Sequence, residues 1–148
     1  MNVSERLAAS AVVTVVELDD AEDADVEMMV RGDYYYKNGK HYILYDEVVE
    51  GIEGTIRNVI KVSPTSMDII KRGAANTHMQ FEKDKKNLSC YVTPMGDMIV
   101  GIQASQIEIR EQADSLQVDM EYSLDINYQH LSDCAIRLDV QSCPSGTP

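Results

Sequence analysis

The stretch "LQVDMEYSLDINY", residues 116–128, alternates apolar and polar side chains without a break. Its apolar residues occupy the even-numbered positions from Leu116 to Tyr128, and its polar residues occupy the odd ones. Because successive side chains of a β-strand point to opposite faces, this period of two predicts a long strand with one dry face and one wet face. An α-helix would scatter the same apolar residues around its circumference.

Weaker versions of this alternation recur along the chain and predict about ten strands joined by short, turn-forming links. Such a meander either splits into a sandwich or closes into a barrel, because an open sheet edge invites aggregation. We predict an all-β fold, an antiparallel meander barrel of about 8–10 strands, with residues 1–148 as a single domain and flexible termini at 1–9 and 141–148. The predicted strands are 10–17, 25–36, 40–49, 55–62, 66–71, 74–82, 87–93, 97–110, 116–128 and 131–140.

The segment 97–110 contains a change of phase that favours the barrel. Its apolar residues occupy even positions as far as Ile102 and odd positions from Ile107 onward. We predict a β-bulge between Gly101 and Gln106, the inserted residue that bends a long strand around a barrel. The alternative is that one strand ends there and another begins.

A second decisive stretch, "RGDYYYKNGKHYILYDE" at 31–47, holds five of the chain's eight tyrosines. Asn38-Gly39 between two strand-like runs predicts a two-residue type I′ hairpin, which sets Tyr36 opposite His41. The drier face of this hairpin is assigned to the interior, and it holds Met28, Val30, Tyr34, Tyr36, His41, Ile43, Tyr45 and Val49.

The inward tyrosines admit two interpretations. The first is that they build the barrel wall, since tyrosine is common in strands and cross-strand aromatic pairs stabilise hairpins. The second is a polar-tipped pocket, because buried phenols need hydrogen-bond partners. The candidate ligand-binding lining is then Tyr34, Tyr36, Tyr45, Met98, Met120 and Tyr122.

The formal net charge of −12 argues against nucleic acid or an anionic membrane as a partner, and no large basic patch offsets it. We expect a cytoplasmic protein, because no signal peptide is evident and three widely spaced cysteines suit a reducing compartment. Cys90 is expected in the core, and the acidic run 17–25 is expected to be a solvated hairpin loop.

No catalytic residue is nominated, since Gly-x-Ser-x-Gly, phosphate-binding loops and EF-hand spacing are all missing from the sequence. On strand 74–82, Met79 and Phe81 are expected to face inward, which leaves His78 and Glu82 on the outer surface. We therefore predict no metal site and no cofactor, and an enzyme is the least favoured function.

Five segments in this order resemble the YwiB-like family of uncharacterised bacterial proteins, over about residues 27–140. The resemblance implies a calycin-like or lipocalin-like β-barrel in a bacterial cytoplasm, and it supplies no activity or catalytic residues. The segments are "GDYYYKNGKHYILYDE", "EGTIRNVIKV", "RGAANTHMQFEK", "YVTPMGDMIVGI" and "LQVDMEYSLDI".

Two functions remain as alternatives. In the first, the barrel interior binds a small apolar or mixed-polarity ligand. In the second, side chains fill the barrel and the protein serves as a protein-interaction or structural module, for which a homodimer is one possible form. Interior volume separates them, since a cavity of roughly 300 Å³ or more would favour a ligand.

Overall fold

A computed structural model describes residues 9–20, 24–48, 50–51, 53–74 and 76–143. Within these ranges the chain forms ten strands and no helix. In chain order the strands are β1 (Ala9–Asp19), β2 (Ala24–Lys37), β3 (Lys40–Glu47), β4 (Ile56–Ser63), β5 (Ser66–Gly73), β6 (Thr77–Glu82), β7 (Lys86–Thr93), β8 (Gly96–Glu111), β9 (Ser115–Ile126) and β10 (Gln129–Ser142).

The strands form one antiparallel sheet in the order β6-β5-β4-β3-β2-β1-β10-β9-β8-β7. Each strand pairs with the next one along the chain, except at β6 and β7, and the first strand pairs with the last. The sheet therefore curls into a nearly closed barrel, which confirms the predicted all-β antiparallel fold.

The barrel has a seam between β6 and β7, although the sequence pattern made these two strands neighbours in the meander. Just after β6, a parallel bridge joins Lys83 to Ala104 of β8, and the Asp84 amide donates to the Ala104 carbonyl at 2.9 Å. Asn87 Nδ2 adds a hydrogen bond to the Gln80 carbonyl at 3.1 Å. The seam is therefore held by side chains and isolated backbone hydrogen bonds in place of a continuous β-ladder.

The β2–β3 hairpin has the predicted register, with Tyr36 opposite His41. Asn38 and Gly39 both have positive φ, 53° and 77°, as a type I′ turn requires. Gly32 lies earlier in β2, where the β2 and β3 backbones approach each other closely. A Cβ at this position would lie 2.3 Å from the Leu44 carbonyl oxygen. The hairpin thus depends on one glycine for its turn and on another for its packing.

The predicted bulge in β8 is also confirmed. Ala104 lies opposite Tyr122 and Gln106 lies opposite Glu121, so Ser105 is the extra residue. From this point the inward positions of β8 change from even to odd numbers.

Large side chains from most of the strands fill the interior as one contiguous core. Side chains that are almost fully buried come from opposite walls and meet at the centre, so the middle of the barrel is packed rather than hollow. These include Val13, Ile43, Ile60, Met67, Phe81, Val118, Met120 and Leu138.

Some expectations are wrong. Tyr128 is 72% exposed, because β9 ends at Ile126 and the next two residues form the turn to β10. Cys90 is exposed, because it lies on the outward face of β7. The predicted acidic loop is shorter than 17–25, since β1 continues to Asp19 and β2 begins at Ala24.

Other expectations fall outside the described residues. Val49 is one of them, and so are most of the termini predicted to be flexible. Within the described part, β10 continues to Ser142, two residues beyond its predicted end.

Candidate functional site

A nearly buried histidine lies at one end of the barrel, which we call the mouth: the end formed by the start of β1, β3 and β9 and the end of β2, β8 and β10. His41 is only 3% exposed. Its Nδ1 is 2.7 Å from the Tyr34 hydroxyl and its Nε2 is 3.0 Å from Glu111 Oε1. The ring also packs against Tyr36, with ring centroids 4.8 Å apart.

Hydrogen-bonding chemistry fixes the direction of one of these two contacts. A carboxylate only accepts, so Nε2 of His41 carries the hydrogen that Glu111 receives. The Tyr34 contact depends on the charge of the ring: a neutral ring accepts the hydroxyl hydrogen at Nδ1, and a protonated ring donates Nδ1–H to the phenol oxygen. In both states the three side chains form one hydrogen-bonded relay, Tyr34–His41–Glu111.

Two local features of the sequence bring the relay together. The Asn38-Gly39 turn places Tyr34 and His41 on the same inward face of neighbouring strands. Glu111 comes from β8 on the opposite wall, and it points inward because the bulge at Ser105 moved the inward positions to odd numbers. Without that extra residue, Glu111 would face solvent.

A cavity of about 210 Å³ opens beside the relay. Tyr34 and Glu111 form its polar side, and Ala11, Leu116 and Val140 supply apolar walls. The β8–β9 turn covers one edge and is tied to β10, because the Ser142 amide donates to the Asp114 carbonyl at 2.9 Å.

A second recess of about 330 Å³ lies on the other side of Glu111. Tyr36, His41 and Pro64 line one wall, and Ile107 and Ile109 of β8 line the other. Glu111 contributes to both spaces and separates them.

The opposite end of the barrel holds a different polar group. Glu47 Oε1 accepts from Lys71 Nζ at 3.0 Å and from Asn58 Nδ2 at 3.1 Å. Burial by itself would raise the pKa of Glu47, but these two hydrogen bonds and the charge of Lys71 outweigh it and lower the pKa. Burial raises the pKa of the neighbouring Tyr45, and the charges of Glu47 and Glu17 add to that effect.

The six predicted lining residues all belong to the inward set, yet they do not surround one cavity. Tyr45 and Met120 are 4% and 1% exposed and belong to the packed core. Met98 and Tyr122 are half-buried against that core, and Tyr122 meets Phe81 edge-on at 4.8 Å between ring centroids. Only Tyr34 lines the cavity beside the relay, and Tyr36 lines the adjacent recess. A ligand-binding role for any of the six stays a prediction.

A larger recess, of about 760 Å³, is an open cleft near the β1–β2 turn, lined by Tyr122, Cys134 and several acidic side chains. The described residues contain no cluster of three or more His, Cys, Asp or Glu side chains able to hold a metal ion. His78 lies on the outer surface as predicted, 3.0 Å from Asp68.

Among the described residues, no helix has the length and apolar character needed to cross a membrane.

The family model of a domain of unknown function, DUF1934, matches residues 11–138. The chain belongs to the DUF1934 family. The uncharacterised β-barrel protein YwiB of Bacillus subtilis (strain 168) is 23% identical over 127 residues, 84% of this DUF1934 chain and 87% of that protein. This confirms the resemblance to the YwiB-like family.

A crystal structure of the YwiB protein from Bacillus subtilis superposes on this DUF1934 chain with a TM-score of 0.72. The match covers 95% of this chain and 96% of that one at 18% identity. Such a likeness supports the barrel fold alone, and the finer calycin-like or lipocalin-like assignment stays a prediction.

Sequence reasoning missed the relay of this DUF1934 chain because its members are far apart along the chain. The hairpin register placed Tyr34 and His41 on one inward face, which was sufficient to predict that these two side chains lie close together. The phase change in β8 could also have identified Glu111 as an inward residue, since the odd-numbered inward positions continue from Ile109 to Glu111. What the pattern does not contain is the curvature that sets β8 across the lumen from β3.

Proposed function

We propose that the barrel mouth binds one small molecule in the 210 Å³ cavity, with its polar end toward Tyr34 and Glu111. The observation that supports this is a cavity with apolar walls directly beside a buried histidine held by both ring nitrogens. Ligand sites combine mostly apolar walls with a few fixed polar groups, and the mouths of β-barrels are a common location.

The volume limits the ligand. At ~30 Å³ for each water in the liquid, 210 Å³ corresponds to about seven waters. The cavity is smaller than the roughly 300 Å³ that favours ligand binding in the interior, and the lumen itself is packed. The proposed ligand is therefore compact and binds at the mouth, not deep between Tyr45 and Met120 as the sequence suggested.

The binding site is tested by a fragment screen followed by amide NMR spectra of the full chain. We expect the hits to shift the amides of Ser10, Ser142 and residues 111–116. The blocking variant is Ala113→Phe, which places a large side chain at the cavity edge. The matched control is Ala74→Phe, the same change at an exposed position after β5.

We expect Ala113→Phe to weaken the hits at least about tenfold, which corresponds to about 1.4 kcal/mol, and Ala74→Phe to leave them unchanged. The proposal fails if no fragment shifts the mouth amides. It also fails if the hits cluster at the acidic cleft near Tyr122, or if both variants have the same effect.

A protein-interaction or structural role is the second candidate, and the packed lumen favours it. Tyr128 and Leu131, 72% and 53% exposed, lie close together on the β9–β10 hairpin and supply an apolar surface. A second copy of the chain is the partner that we infer, since two-fold homodimers are the commonest soluble oligomers. Sedimentation of the wild type and of a Tyr128→Ser, Leu131→Ser double variant tests this, and a wild type that stays monomeric at high concentration contradicts it.

We place either function in the cytoplasm. Cys90, Cys134 and Cys143 are free thiols, which supports a reducing compartment. Fractionation of a bacterium that expresses the tagged chain checks this inference, and recovery outside the cytoplasm would contradict it.

A further inference from the structure

We propose that the outer surface of β2–β5 binds an acidic segment of another protein, in which a stripe of apolar residues is flanked by Asp or Glu. We call this surface the basic face and define it as the outward side chains of residues 31–37, 40–46, 57–61 and 68–72. It includes neither the cavity at the mouth nor Tyr128 and Leu131, so the inference does not depend on either function proposed above.

Most of the cations on the basic face have no ion-pair partner. The face holds six Lys or Arg side chains, and among the described residues only Arg57 of these forms an ion pair, with Asp46 at 3.1 Å. Of the other two carboxylates on the face, Asp68 lies 3.0 Å from His78 Nε2, and only Asp33 is left without a cation. The face therefore has an excess of positive charge. Its unpaired cations are Arg31, Lys37, Lys40, Lys61 and Arg72.

The other cations of the chain are arranged differently. Among the described residues outside the basic face, five of the six Lys or Arg side chains form ion pairs, and Lys83 is the exception. The chain has 25 Asp or Glu against 13 Lys or Arg, so carboxylates are plentiful. A face on which the cations nevertheless stay unpaired keeps a positive potential and attracts a negatively charged partner.

Apolar side chains lie between these cations, although the outward positions of an antiparallel sheet are ordinarily polar. Leu44, Val59 and Ile70 form one row across β3, β4 and β5, because the register sets them opposite one another. Ile70 is 9% exposed, and the other two are half-buried. In the next row Tyr35 stacks on Tyr42, with ring centroids 4.6 Å apart. The basic face thus offers apolar and aromatic surface as well as charge.

The cations flank these two rows on both sides. Lys37 lies opposite Lys40 on one side, and Arg57 lies opposite Arg72 on the other. Like charges directly opposite each other destabilise an antiparallel pair, and a partner carboxylate beside them would relieve that repulsion. A segment with an apolar stripe and carboxylates on both flanks matches this order of rows. The sequence contains no long basic run here, because the cations come from four strands and only the register brings them together.

A nucleic acid fits the same face less well. Asp33 and Asp46 line an open recess of about 250 Å³ between Arg31 and Arg57, so a continuous chain of phosphates would meet carboxylates there. The net charge of −12 also repels any polyanion that extends beyond the face. A peptide segment can place its carboxylates singly beside the cations and its apolar side chains on the rows between them.

The test titrates three synthetic peptides of about 15 residues into the full chain, by calorimetry and by amide NMR spectra. The first has Glu on both flanks of a Leu stripe at helical spacing. The second replaces each Glu by Gln, and the third replaces each Leu by Ser. An oligothymidylate of about 12 nucleotides is the fourth probe, because it carries phosphates and bases that stack on aromatic rings.

We expect the Glu–Leu peptide to shift the amides of residues 40–46 and 57–61. It should bind at least about tenfold more tightly than each altered peptide, a difference of about 1.4 kcal/mol, and its affinity should fall as NaCl is added. The inference is overturned if an altered peptide binds as tightly, if the oligothymidylate binds these amides at least as tightly, or if no peptide shifts them.

Variants locate the effect. The double variant Lys37→Gln, Lys40→Gln removes two exposed, unpaired cations, and we expect it to weaken the Glu–Leu peptide about fivefold, or about 1 kcal/mol. The double variant Arg110→Gln, Arg137→Gln is the control, because it removes two positive charges from the outer face of β8 and β10. The control should change the affinity less than about twofold. Equal losses in the two double variants would mean that net charge alone attracts the peptide, and would overturn the inference.

Discussion

Both ends of the barrel hold inward-facing polar side chains, but these side chains have different kinds of hydrogen-bond partners at the two ends. At the mouth, the nearly buried His41 is held by a phenol and by a half-exposed carboxylate that reaches it across the lumen. At the far end, Glu47 of β3 is held by Asn58 of β4 and Lys71 of β5, the next two strands of the sheet. The mouth relay borders an open cavity, whereas the Glu47 group links the side chains of adjacent strands.

This difference separates a structural polar cluster from a candidate binding group. At the far end both charges of the ion pair are neutralised and the residues are neighbours in the sheet, so the cluster ties β3, β4 and β5 together. At the mouth, the half-exposed carboxylate of Glu111 borders space that a ligand can fill. Buried polarity therefore indicates a site only where its outermost acceptors border a cavity.

The largest expected effect tests the packed lumen between the ends. Met120→Ala removes a side chain that is 1% exposed, and we expect the free energy of unfolding to fall by about 2–5 kcal/mol. Met29→Ala is the same change at a 68% exposed position and should stay within about 0.5 kcal/mol. Urea denaturation of both variants measures this, and equal effects would mean that the lumen is not packed.

An intermediate effect is expected at the far end. Lys71→Met removes the cation that pairs with Glu47, and we expect a loss of about 1–2 kcal/mol, below the about 3–5 kcal/mol of a fully buried pair. Lys85→Met breaks the more exposed pair with Glu82, whose N···O distance is 3.6 Å, and should change stability by less than about 0.5 kcal/mol. If the two lysine variants unfold alike in urea, the far-end cluster does not stabilise the fold.

The same cluster predicts a dependence on pH. Because the pKa of Glu47 is lower in the folded chain, its contribution to stability is present above the unfolded pKa and is lost as the pH falls through the folded pKa. The difference in unfolding free energy between the wild type and Glu47→Gln should therefore shrink between about pH 7 and about pH 3. Urea titrations at several pH values check it, and a constant difference would contradict it.

The smallest effect is expected at the mouth, where stability depends little on the relay. Tyr34→Phe keeps the ring and removes the hydroxyl that hydrogen-bonds to His41, so we expect a loss of about 0.5–1.5 kcal/mol. Tyr36→Phe is the control on the same face, because the Tyr36 hydroxyl has no hydrogen-bond partner among the described residues. A loss above about 3 kcal/mol for Tyr34→Phe would make the relay a structural cluster like the one at the far end.

Local patterns predicted the hairpin and the bulge well because both arise from short-range geometry. Asn38-Gly39 fixes the register of β2 and β3, and the phase change before Ile107 requires an extra residue in β8. Cys90 was misassigned because it shares the outward face of β7 with the exposed Leu88, while Tyr91 of the other face packs against the core. Tyr128 was misassigned because the alternation continues past the end of β9. Alternation identifies the two faces of a strand, but it does not always tell which face turns to the core or where the strand ends.

The sequence by itself determined the strands, the inward faces of most of them, the turn and the bulge, because each depends on backbone and side-chain preferences within about a dozen residues. Only the tertiary structure decided that the lumen is filled and that a seam separates β6 from β7. It alone brought Glu111 to His41, since that contact joins opposite walls and depends on how far the whole sheet curls. Curvature is the sum of small twists over ten strands, and no single segment of the sequence contains it.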